Sequence, residues 1–169
     1  KPLIISSGMA TTFEINDAIN TARENGTKDI IVLHCTSAYP APLEDANLIT
    51  INTIKEKFNV LSGLSDHTEG TLASTVAILM GASVIEKHFT LRKNDGGVDS
   101  SFSIEPDELV KLVKDCKTIN KILGKPAFKP LKSEKNVLMN RRSLYVVKNI
   151  EKGEVLSKKN IKSIRPGNG

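Results

Sequence analysis

The chain contains no tryptophan, two tyrosines and five phenylalanines in 169 residues. So few rings leave little surface for stacking bases, and the net charge of +5 comes from lysines scattered over helices and loops, so nucleic-acid binding is disfavoured. Cysteine is equally sparse. Cys35 and Cys116 give neither a metal-ligand spacing nor a disulfide framework, and both are expected as buried thiols. No apolar run approaches the ~20 residues of a membrane helix. Lys1-Pro2-Leu3-Ile4-Ile5 does not read as a secretory leader, so a cytoplasmic protein is expected. What remains is an ordinary globular composition, 39% apolar and 25% charged, with a weakly positive field that suits an anionic small substrate.

Four apolar runs punctuate the first part of the chain: Leu3 to Ile5, Ile30 to Leu33, Val60 to Leu64, and Val84 to Ile85 continuing to Phe89. Segments of helical period separate them. Thr11 and Glu14 form a capping box ahead of Ile15, Ala18, Ile19 and Ala22, with Asn25-Gly26 as the stop. Leu43 to Phe58 reads as one helix, Thr71 to Met80 as a small, closely packed one, and Pro106 opens a long one that ends before Gly124. Strand and helix in strict alternation predict an α/β fold around a parallel sheet. A TIM (β/α)8 barrel needs eight such units in about 250 residues. Four are present, so residues 1–124 read as the C-terminal half of a barrel, with earlier sequence expected before Lys1. Residues 125–140 are basic and proline-punctuated, as a linker would be. Residues 141–169 read as the truncated start of a small β-rich domain, with strands at Ser143 to Val147 and Ile161 to Ile164 and a turn at Lys152-Gly153-Glu154.

Chemistry concentrates where those strands stop, the rim on which βα barrels keep their active sites. Alternate residues of a strand share a face, so Ser65 pairs with His67, and Glu86 with His88. Imidazoles from neighbouring strands can converge on one divalent cation, whereas an arbitrary pair of histidines is only a pair of loop residues. A carboxylate beside them, Glu86, can take up a proton or orient water, and it can equally be a buried acid paired with a lysine. The same rim carries Ser6, Ser37, Tyr39 and the glycine-rich stretch Gly96 to Ser103, in which Asp99 can accept sugar hydroxyls or simply make a turn. His34 precedes the rim and is expected in the core or behind the site.

Four phrases resemble the sialic acid synthase family: Cys35-Thr36-Ser37-Ala38-Tyr39-Pro40-Ala41-Pro42, Gly63-Leu64-Ser65-Asp66-His67-Thr68, Ile85-Glu86-Lys87-His88-Phe89-Thr90 and Arg165-Pro166-Gly167-Asn168-Gly169. They stand in the family's order and span nearly the whole chain. The resemblance implies a TIM barrel from about its fifth strand to its eighth, then the start of an antifreeze-like (SAF) domain. It also implies a phosphoenolpyruvate-dependent synthase that joins that substrate to an N-acetylated amino sugar. His67 and His88 would then be ligands of a divalent cation, Mn2+ or Mg2+, with Glu86 acting near the reacting carbon. Ser65 and Ser37 match phosphate-binding positions, although the sialic branch commonly has asparagine at the second. Tyr39, Asp99 and Ser103 match positions near the sugar and the reacting carbons, and Ser6, on the same rim, is expected to bind substrate with them. Arg165 matches an arginine that reaches a partner's active site, which implies a domain-swapped homodimer.

Within the family, Gly96 to Pro106 and Arg142-Ser143-Leu144-Tyr145-Val146-Val147 resemble the pseudaminic acid synthase branch. The competing enzymatic readings are synthesis of N-acetylneuraminate or legionaminate. A non-catalytic carbohydrate-binding protein is the alternative of another class. Half of the expected rim, including the family's phosphate-binding lysines, lies outside this chain, so the piece by itself is expected to be inactive.

Overall fold

The computed structural model describes residues 1–165, and Pro166-Gly167-Asn168-Gly169 of the last family-like phrase lie outside the described residues. The chain divides into two compact units, Lys1–Gly124 and the residues from Lys125 onward.

In the first unit four strands, β1 (Leu3–Ser6), β2 (Ile30–Cys35), β3 (Leu61–Asp66) and β4 (Val84–Lys87), form one parallel sheet in chain order. Between and after them run α1 (Thr12–Glu24), α2 (Thr50–Phe58), α3 (Leu72–Leu79) and α4 (Pro106–Leu123). α1 starts on the expected box: Glu14 N–H donates to Thr11 Oγ1 at 3.3 Å, and Thr11 N–H donates to Glu14 Oε2 at 2.7 Å. These bonds satisfy donors that the first turn leaves unpaired. In α4, Glu105 N–H donates to Glu108 Oε2 at 3.0 Å, and Lys93 lies 3.2 Å from the same oxygen. The backbone donor first, and the lysine after it, hold the Glu108 carboxyl below its usual range.

The segment Leu43 to Phe58 is not the single helix its period predicts. A short 3-10 turn, Leu43–Asp45, precedes α2, and Asn47 between them takes a left-handed φ of 40°. Asparagine tolerates that conformation, and His34 pins the bend through a 2.8 Å bond from its ring Nε2 to the Ala46 carbonyl. His34 is thus a structural histidine behind the sheet. Of the cysteines, Cys35 is buried as expected, whereas Cys116 on α4 is only partly covered. Partial desolvation still raises the Cys116 thiol above its usual range.

Both core clusters lie between sheet and helices. Ile19, Ile30, Val32, Ile54 and Phe58 make one, and Ile51, Leu64, Ala77 and Ala82 the other. Burying each large side chain is worth roughly 1.5–3 kcal/mol, so these contacts fix which face of each strand turns toward the helices. Ile5, Val32, Leu64 and Ile85 face the helices, which leaves Ile4, Ser6, Leu33, Cys35, Gly63, Ser65 and Glu86 on the inner face. That inner face is layered along the strands. Ile4, Ile31 and Leu61 lie at the N-terminal end, and Cys35, Ser65 and Glu86 form a polar row at the C-terminal end.

In the second unit a 3-10 stretch, Lys132–Asn140, is followed by the antiparallel pair β5 (Ser143–Val146) and β6 (Ile161–Ile164). Buried Asn160 organises the intervening turns, accepting from Ser157 N–H at 2.7 Å and donating to Glu154 Oε1 at 3.0 Å. No helix among the described residues is long and apolar enough to cross a membrane.

Candidate metal and substrate site

The β3–β4 ladder places Ser65 opposite Glu86 and Asp66 opposite Lys87, and there it ends. One residue further along each strand stand His67 and His88, on the inner face with Ser65 and Glu86. Their ring centroids are 5.1 Å apart, close enough for both imidazoles to share one cation, with planes inclined by 80°.

The bonding behind each ring decides what its other nitrogen can do. His67 Nδ1 lies 2.9 Å from the Thr36 carbonyl oxygen. A carbonyl only accepts, so Nδ1 is the donor of this bond, and in the neutral ring the lone pair then falls on Nε2. His88 Nδ1 faces Asp99 Oδ2 at 3.5 Å. This pattern of a ligating imidazole backed by a carbonyl or carboxylate recurs behind protein-bound metals. The two rings therefore fit a divalent cation. Among the described residues no group of three or more His, Cys, Asp or Glu side chains is gathered for a metal. Two imidazoles alone leave most of a coordination sphere to water or substrate oxygens, as an open site requires.

Around the pair, Ser65 Oγ donates to Glu86 Oε1 at 2.6 Å, the short distance of a charge-assisted bond. Ser65 is buried, whereas Glu86 is open to solvent. Tyr39 lies over His67 with centroids 4.3 Å apart, and Phe102 lies against His88 at 5.1 Å. Phe102 was not among the residues singled out in the sequence; its signal was an aromatic residue in an otherwise small and polar loop. That loop, Gly96 to Ser103, returns alongside the end of β4, where Ile104 N–H donates to the His88 carbonyl at 2.9 Å. Its return brings Asp99 back to His88. Ser103 is buried and gives its hydroxyl to the Asp99 carbonyl at 2.8 Å, so its proton is used inside the loop.

The remaining sequence-derived positions are more peripheral. Ser37 is exposed, its Oγ 3.8 Å from Cys35 Sγ. Ser6 closes β1 opposite Leu33, on the inner face. Its neighbour Ser7 is buried and accepts from Cys35 N–H at 3.2 Å, which joins the ends of β1 and β2. Arg165 belongs to the second unit, where Nε donates to the Asn140 carbonyl at 3.0 Å.

Residues 1–127 match the NeuB family. The chain belongs to that family. It is 45% identical to the N,N'-diacetyllegionaminic acid synthase of Campylobacter jejuni, over all of this chain and 52% of the relative. It is also 45% identical to a pseudaminic acid synthase of the same species, over all of this chain and 49% of the relative. Among solved structures, it resembles the N-acetylneuraminic acid (sialic acid) synthetase from Leptospira borgpetersenii serovar Hardjo-bovis, crystallised with citrate. That match has 39% identity and a TM-score of 0.73, covering 81% of this chain and 48% of the other. The chain spans about half the length of the curated relatives it matches. The first unit of this NeuB-family chain is therefore a half-barrel, and its curled parallel sheet matches that of sialic acid synthase structures.

Proposed function

We propose that the full-length protein carrying this chain condenses phosphoenolpyruvate with an N-acetylated amino sugar, forming a nine-carbon acidic sugar and releasing phosphate. The observation that carries this reading is the His67–His88 pair, two imidazoles 5.1 Å apart beside the Ser65–Glu86 hydrogen bond. A divalent cation held by His67 and His88, Mn2+ or Mg2+, supplies Lewis acidity toward the sugar's aldehyde oxygen.

The chain's own residues do the rest. Tyr39 and Phe102 wall the space beside the imidazoles and hold the open-chain sugar, with Asp99 at its hydroxyls, Ser103 steadying the loop behind Asp99 and Ser6 on the adjoining rim. Ser65 and Ser37 bind phosphate oxygens. A hydroxyl has one proton, so Ser65 cannot donate to a phosphate oxygen while it donates to Glu86. Binding of phosphoenolpyruvate therefore turns the Ser65 proton toward the phosphate and frees the Glu86 carboxylate. The methylene carbon of phosphoenolpyruvate bonds to the aldehyde carbon, and Glu86 takes a proton from the water that adds at the former enol carbon. The tetrahedral centre so formed expels phosphate and leaves the 2-keto acid.

We assign the product as pseudaminic acid on the Gly96 to Pro106 loop. Equal identity to the legionaminic and pseudaminic relatives means that the loop, not overall similarity, carries this choice. Residues 141–169 are the start of an antifreeze-like domain, residues 125–140 link it to the barrel, and Arg165 serves a partner's site in a domain-swapped dimer. The enzyme works in the cytoplasm. Phosphate release is measured with phosphoenolpyruvate and each candidate sugar, with and without chelator. Loss of release on chelation and in His67→Ala and His88→Ala supports the proposal, and release that survives all three refutes it.

A further inference from the structure

We infer that Asp66 and Lys87 are positioning residues whose buried ion pair sets the separation and orientation of the His67 and His88 imidazoles. This rests on the metal reading above. Asp66 immediately precedes His67, and Lys87 immediately precedes His88, on the helix-facing side of the same two strands. Their side chains are 1% and 4% exposed and meet at 3.0 Å.

The carboxylate has no lone pair to spare. Oδ1 accepts from Thr68 N–H at 2.9 Å and Thr68 Oγ1 at 2.8 Å, and Oδ2 accepts from Ser74 Oγ at 2.5 Å and from Lys87 Nζ. Lys87 Nζ donates in turn to the Thr68 carbonyl at 2.7 Å. One charge cluster thus grips the backbone on both sides of His67 and directly before His88. The grip matters because the β3–β4 ladder stops at Asp66–Lys87, so no further pair of that ladder relates the two histidines. Stability alone is a poor explanation for such a pair, since desolvation offsets most of the attraction and apolar side chains of similar volume often serve as well.

The test uses the full-length protein. Replacing both partners together, Asp66→Asn with Lys87→Met, removes the charges without stranding either one. Mn2+ alone is titrated, free Mn2+ is counted by electron paramagnetic resonance, and metal-free folding is followed by circular dichroism. The Mn2+ Kd should rise about tenfold, the low end of what losing a group bonded directly to a metal ligand costs, because the pair acts through the backbone, while the metal-free protein stays folded. In the same metal-free variant, nitrogen-15 shifts of the His67 ring should lose the single Nδ1-protonated pattern. A Kd within twofold of wild type overturns the inference. If the paired variant does not fold, Thr68→Val decides, because it removes only the hydroxyl donor to Asp66: several-fold weaker Mn2+ binding supports the inference and an unchanged Kd overturns it. His67→Ala and His88→Ala serve as controls. If they bind Mn2+ as tightly as wild type, the metal reading falls and this inference with it; if they lose Mn2+ and the paired variant does not, only this inference falls.

Discussion

Leu33 Cδ2 occupies the space that a side chain on Gly63 would need: a Cβ built there would stand 2.6 Å from it, and nearer still to the Val84 carbonyl oxygen. The φ of Gly63 is not in the left-handed region, so its smallness, not its flexibility, is what the site uses. Leu33 is wholly buried over it.

Gly63→Ala should therefore overpack the inner face and destabilise the fold by about 1–3 kcal/mol. Because Gly63 lies two residues before Ser65 and faces Val84, the strain should also spread β3 from β4. Chemical denaturation checks the first effect. A stability loss under about 0.5 kcal/mol, the range of ordinary surface changes, would mean that the neighbouring strand gives way easily.

The Ser65–Glu86 bond makes a kinetic prediction. Ser65→Ala should raise KM for phosphoenolpyruvate, whereas Glu86→Gln should lower kcat by roughly 10²–10⁴, the usual contribution of a positioned acid or base. Since the two groups share one proton, their effects should not add in the double variant. Steady-state kinetics of both single variants and the double variant measures this directly, and strict additivity would argue that the two side chains act separately.

Glu108 makes a prediction about pH. Its carboxyl is held below the ordinary range in the folded chain, first by Glu105 N–H and then by Lys93, so its contribution is present above the unfolded value of about 4.3 and is lost as pH falls through the lower folded value. Glu108→Gln should lower the melting temperature modestly at pH 7, since the side chain is partly exposed and solvent screens the lysine. The gap to wild type should close below about pH 4. Thermal melts at several pH values test it, and a gap that widens in acid would reverse the assignment.

Much of this architecture was legible in residue order. Period-two alternation put Ser65 with His67 and Glu86 with His88 on one face, and Thr11 with Glu14 announced the start of α1. What was not legible depends on register or on single dihedral angles. Asp66 and Lys87 are 21 residues apart and become partners only because β3 and β4 align as they do. The link between Asp99 and His88 needs the loop's return beside β4, which composition does not encode. The break ahead of α2 hangs on Asn47 in a left-handed conformation, with no glycine to announce it. Pro106, by contrast, marked the first residue of α4 without help from the fold.

His67 and His88 stand at the ends of paired strands, whereas Tyr39, Asp99 and Phe102 ride on the connections that follow β2 and β4. The side chains at Tyr39, Asp99 and Phe102 can change while the Asp66–Lys87 pair at the end of β3 and β4 still holds the two histidines. Half of the candidate site is set by strand ends and half rides on exchangeable connections. On the function proposed above, changes on those connections alter which sugar fits and leave the metal pair in place.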